Sequence, residues 1–180
     1  AGTGTEADPF TVIPNGEEKI GGGGEKCFPT ISIVDPDFMM TVPPHLTAYQ
    51  GFDALFHSVE AYIAKSASLM SDMYALTAIE NIGGYLARAV ENSKDLEARE
   101  HVAFANTLSG VVMTMCSLTS EHAMEHAMSA YHQELPHGAG LILISLPYYE
   151  HFVKAHACDE RFVRMAQALG KKDASKPEDF

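Results

Sequence analysis

The sequence is short of cations, of cysteine and of long apolar runs, and it has no tryptophan. Lys and Arg number 12 against 24 Asp and Glu, for a formal net charge of −12 over 180 residues. A partner with a phosphate backbone or an anionic lipid surface rewards the opposite sign, so nucleic acid and membrane are set aside as partners. The three cysteines, Cys27, Cys116 and Cys158, show no C-x-x-C spacing. That removes a dithiol motif and a disulfide framework, and it suits a reducing compartment, read here as the cytoplasm. No apolar run is long enough to span a bilayer. There is no Gly-x-Ser-x-Gly elbow, no P-loop and no G-x-G-x-x-G after a strand. The H-x-x-x-H at His122 and His126 has Ala123 where a zincin has glutamate, so a zinc hydrolase lacks its base. The missing tryptophan excludes nothing.

What is present is 46% hydrophobic, enough for one sizeable core. Both ends look cut from a larger protein. The opening "AGTGTEADPF" reads as a loop and helix start from inside a domain. In the closing "SKPEDF", Ser175 and Glu178 have the spacing of a capping box that opens a helix. "TVIP" (11–14) and "TISIVD" (30–35) read as short strands, and "NGEEKIGGGGEK" between them as a flexible loop. From Thr47 onward the periodicity is helical, predicting helices near 47–65, 70–92, 95–117, 119–131, 137–154 and 159–169.

The histidines are unevenly placed. In "GFDALFHSVEAY" (51–62) the apolar Phe52, Leu55, Phe56 and Val59 recur at helical spacing, yet Asp53 and His57 sit one turn apart among them. Four of the nine histidines then fall in 120–140: His122, His126, His132 and His137. One reading has Asp53, His57, His122 and His137 binding a single divalent ion, for which three imidazoles and a carboxylate suit Fe(II) or Zn(II). The other has hydrogen-bonded structural histidines in a core. Spacing alone leaves both open. His45, His101, His151 and His156 read as structural or surface residues, and Met113, Met115, Met124 and Met128 as core filler.

Four separated stretches then match one family, in its order and at similar intervals: "AGTGTE" at the start, "SIVDP" at 32–36, "PPHLTAYQGFDALFHSVEAY" at 43–62 and "EHAMEHAMSAYHQELPHGAGL" at 121–141. The chain resembles the iron-containing (group III) alcohol dehydrogenases over essentially its whole length. The resemblance implies a mainly α fold: residues 1–45 as the end of a dinucleotide-binding α/β domain, with one or two strands, and 46–180 as a truncated, all-helical metal-binding domain. It implies Asp53, His57, His122 and His137 as metal ligands, with His126 near the substrate, either as a proton relay or as a wall of the pocket. Thr3, Val12 and Lys19 map to positions beside the nicotinamide cofactor, NAD or NADP. Asp8 stands where some members have threonine. The family's Gly-Gly-Gly-Ser pyrophosphate loop is not in this chain.

The activity so implied is hydride transfer between a small alcohol and nicotinamide, in a protein that self-associates as family members commonly do. Two alternatives remain: a non-catalytic metal-binding helical piece, and a relative of the glycerol dehydrogenases or dehydroquinate synthases.

Overall fold

The computed structural model describes residues 4–180, so Thr3 lies outside the described residues. Two strands, β1 (Phe10–Asn15) and β2 (Glu18–Gly23), form an antiparallel hairpin in which Ile13 faces Ile20 and Asn15 faces Glu18. The two-residue turn between them places Gly16 at φ 64°, the left-handed region that a tight hairpin turn demands and glycine enters without steric cost.

The hairpin corrects the sequence reading twice. β2 occupies the stretch expected to be a flexible loop, and 30–35, expected to be a strand, pairs with nothing among the described residues. A strand is defined by its ladder. Backbone pairing across a two-residue turn recruits "EKIGGG" despite its glycines, whereas Ile31 and Ile33 stand 80% and 82% exposed with no neighbouring strand.

Six helices follow: α1 (Pro44–Ile63), α2 (Leu69–Glu91), α3 (Leu96–Met115), α4 (Glu121–Tyr131), α5 (His137–Lys154) and α6 (Asp159–Ala168). All six were predicted, with ends within a few residues, because each carries a long 3.6-residue apolar period. Ser68 caps α2 through Ser71 N at 3.2 Å, and Asp95 caps α3 through Ala98 N at 3.0 Å. α1 runs through the middle, packed on α2, α3 and α5, while α4 packs on α5 and receives β2. Val59, Ile79, Val112, Leu141, Phe162 and Met165 are fully enclosed where these helices meet. Burying such a side chain contributes about 1.5–3 kcal/mol relative to exposure.

Arg161 ties α6 to the bundle. Its guanidinium donates to Asp72 at 2.8 and 3.0 Å and to the Tyr62 carbonyl at 2.6 Å, and it lies over the Tyr62 ring. At the C-terminus the capping box expected from Ser175 and Glu178 is absent. Asp179 instead accepts from the backbone N–H of Ser175 and Lys176, at 2.9 and 3.2 Å, and closes a single 3-10 turn, Pro177–Asp179. Lys171 pairs with Asp179. Among the described residues no helix is long and apolar enough to cross a membrane.

Candidate metal centre

Three elements bring the site together. On α1, Asp53, His57 and Glu60 are spaced by four and three residues and therefore share a face. That face is buried because three helices surround α1. The second element is the first turn of α4. Ser120 precedes this helix and offers it no side-chain cap, so the orphan N–H groups need acceptors from elsewhere. Glu60 supplies them from α1: its carboxylate accepts from Glu121 N at 2.9 Å, His122 N at 3.1 Å and Thr119 Oγ1 at 2.7 Å. His122 is thereby delivered to the Asp53 face. The third element is the first residue of α5, His137, which follows Pro136. Gly138 permits this placement, since a Cβ there would strike the Tyr49 carbonyl of α1. At Gly140 a Cβ would lie 2.7 Å from Glu125 Oε1.

Asp53 Oδ1 is the hub. It lies 3.2 Å from His122 Nε2, 3.4 Å from His137 Nε2 and 3.6 Å from His57 Nδ1. One donor atom from each of Asp53, His122 and His137 falls within 4.8 Å of the others. His57 is outside that triplet but beside it, its ring stacked on that of His122 at 4.1 Å between centroids. His126 stands 5.2 Å from the His137 ring. Asp53, His57, His122, His126 and His137 form one wall of a cavity of about 810 Å³. The hairpin, with Val12 and Lys19, forms the opposite wall. Lys19 Nζ bonds Ser129 Oγ at 3.0 Å and lies 3.6 Å from Glu125 Oε2. Asp8 also lines the cavity; its Oδ1 accepts from Phe10 N at 2.7 Å, and burial pushes its carboxyl up.

The charges follow from this geometry. Burial alone would raise the Asp53 carboxyl, but the His57, His122 and His137 imidazoles more than offset it and hold Asp53 well below the usual carboxylate range. Burial would lower His122, yet its hydrogen bonds to Asp53 and Glu60 push it up to about 9. His57 is lowered to about 4 by burial and then by the neighbouring His122. His126 is lowered to about 4 by burial and then by His137 and Lys19.

Two buried atoms of this cluster, Asp53 Oδ2 and His57 Nδ1, have no hydrogen-bond partner. Leaving such groups unpaired costs about 1–3 kcal/mol each, and a divalent cation among these donors would satisfy both. One carboxylate and three imidazoles are a donor set that fits Fe(II) or Zn(II).

Comparison with known proteins shows the family. The model of the Fe-containing alcohol dehydrogenase family, C-terminal, matches residues 47–180. This chain belongs to the iron-containing alcohol dehydrogenase family. It is 37% identical to an NAD-dependent methanol dehydrogenase of Bacillus methanolicus, over 95% of this chain and 45% of that protein. It is 35% identical to a 1,3-propanediol dehydrogenase of Klebsiella pneumoniae, over 95% and 44% respectively. Among solved structures, an archaeal halo-thermophilic alcohol dehydrogenase from a Red Sea brine pool superposes with a TM-score of 0.89 at 41% identity, covering 98% of this chain and 44% of that one. The chain thus spans less than half the length of these relatives.

In this iron-containing alcohol dehydrogenase family member, the sequence reading missed the carboxylates behind the histidines. Glu60, Glu121 and Glu125 are completely buried. Glu60 accepts from His122 Nδ1, Glu125 from His137 Nδ1, and Tyr149 donates its hydroxyl to Glu121. Burial, with the nearby Glu60 charge, pushes Glu121 up to about 8 even though the Tyr149 hydrogen bond opposes the shift. A signal was available: Glu60 follows Asp53 by seven residues on the same face, and Glu121 and Glu125 repeat the four-residue spacing of His122 and His126.

Proposed function

We propose that this chain is the metal-binding part of an NAD(P)-linked alcohol dehydrogenase or aldehyde reductase acting on small alcohols, with Asp53, His57, His122 and His137 as the metal ligands. The observation that carries this reading is the convergence of His57, His122 and His137 on Asp53 Oδ1, with two buried atoms left unpartnered. A bound Fe(II) or Zn(II) supplies Lewis-acid polarisation of an alcohol or carbonyl oxygen.

The remaining work falls to the chain. Asp53 offers the negative charge that favours a cation at this place, and α1 holds it rigidly. Buried bundle residues such as Asp53, His57 and His122 line the cavity, and exclusion of water there would favour hydride transfer over side reactions. Val12 and Lys19 on the hairpin line the same cavity as the histidines and would contact the nicotinamide cofactor. His126, neutral at working pH because burial lowers it to about 4, can accept a proton at the cavity edge, and it is also part of the wall. Residues 1–45 are read as the end of the dinucleotide-binding domain and 46–180 as the helical domain, in a homo-oligomeric protein of the cytoplasm.

Elemental analysis of the purified chain tests the metal reading. Near-stoichiometric Fe or Zn, lost in both Asp53→Ala and His122→Ala, is the expected result. Metal that is absent, or indifferent to both changes, overturns it.

A further inference from the structure

Each of two cavity histidines is held from both ends. His122 offers Nε2 to Asp53 at 3.2 Å while its Nδ1 meets Glu60. His137 offers Nε2 toward Asp53 at 3.4 Å while its Nδ1 meets Glu125. Both glutamates are fully buried, so each ring is clamped between an inner and an outer carboxylate. His57 has no such clamp, and its Nδ1 is unpartnered.

The outer carboxylates are fixed in different ways. Glu60 is held wholly within the bundle, by the N–H groups that open α4 and by Thr119. Glu125 rests against the backbone at Gly140, and its charge is balanced by Lys19, which comes from the hairpin across the cavity.

We infer that Glu60 and Glu125 are positioning residues that keep the proton of His122 and His137 on Nδ1 and turn Nε2 toward the metal, with Lys19 steadying Glu125 from the hairpin side. This rests on the metal reading above. An imidazole binds a cation only through an unprotonated nitrogen, and an acceptor fixed on the far nitrogen selects both tautomer and ring angle. The arrangement also makes His137 the histidine whose orientation depends on the hairpin, while that of His122 is set inside the bundle. The other nearby three-donor set, Glu125, His126 and His137, is a poorer cation site because Lys19 stands 3.6 Å from its carboxylate.

The test is zinc affinity of the 180-residue chain, measured by competition with a chelating dye in the absence of nicotinamide, for the unmodified protein, Glu60→Gln, Glu125→Gln, Lys19→Met and Glu121→Gln. Glu121 is as deeply buried but bonds Tyr149 in place of a ring, so it reports what a buried-glutamate change does by structure alone. The expected result is a loss of about 10–100-fold for Glu60→Gln and for Glu125→Gln. Lys19→Met should lose about two- to fivefold, the scale of a partly exposed ion pair. Glu121→Gln should bind as the unmodified chain does. Lys19→Met changes no core side chain and carries the test if a glutamate variant does not fold. A residue that only touches the nicotinamide would leave zinc affinity unmoved.

Nitrogen-15 spectra of the zinc-loaded chain add a readout of geometry. His122 and His137 should show Nδ1–H, lost or mixed in the corresponding Gln variants. Unmodified zinc affinity in all four variants overturns the inference and leaves the metal reading standing, as does an equal loss in Glu121→Gln. An unmodified chain that binds no zinc overturns both.

Discussion

α1 and the β1–β2 hairpin face each other across one cavity and are built in opposite ways. Of the 20 residues of α1, 12 are buried, including Asp53, His57 and Glu60; no residue of either strand is. Asp53 and His57 therefore stand on a largely buried helix. The opposite wall is held by sparse polar contacts, such as Lys19 to Ser129 at 3.0 Å and Gln133 to the Gly16 carbonyl at 3.3 Å. Pre-organised ligands need a wall that does not yield, because unpaired buried groups are costly and their geometry must survive the absence of the ion. An exposed hairpin held by few contacts is the kind of element that opens at low free-energy cost.

Substitutions on the two sides should separate in size. The largest effect belongs to the bundle: Leu141→Ala, at a fully enclosed position of α5, should lower stability by about 2–5 kcal/mol in chemical denaturation. Zinc at 100 times its dissociation constant should raise stability by about 2.7 kcal/mol in the unmodified chain. Asp53→Ala should abolish that increment in thermal melts, which would place the linkage on the α1 wall. Gly138→Ala should cost about 1–3 kcal/mol, because the added methyl meets the Tyr49 backbone, and it should weaken zinc binding by displacing His137. Smallest is Ile13→Thr on the hairpin, 59% exposed, which should fall within about 0.5 kcal/mol of the parent. A hairpin change as costly as Leu141→Ala would break the comparison, and amide exchange faster in β1 and β2 than in α1 would sharpen it.

The helices were legible because each repeats an apolar face over many residues, and the repetition outweighs any single ambiguous position. Ser68 and Asp95 show that even the starts of α2 and α3 are local chemistry. Of the hairpin, β1 was legible in "TVIP", but β2 was not, since it has glycine where a strand pattern would carry β-branched residues, while "TISIVD" has the pattern without the partner. In the site, Asp53 and His57 could be seen to share a face from their spacing. Their proximity to His122 and His137 depends on α4 and α5 arriving from other directions, which no local pattern encodes.

The sequence alone therefore determined the six helices, the mainly α class, the anionic balance that argues against a polyanionic partner, and the types of donor available, because these depend on composition and on spacing within one element. Only the tertiary structure decided that Asp53 is the hub, that Glu60 caps α4 while meeting His122, that Glu125 meets both His137 and Lys19, and that the hairpin closes the cavity. Each of those is a contact between elements far apart in the chain, set by packing and by the need of buried charges and N–H groups to find one another.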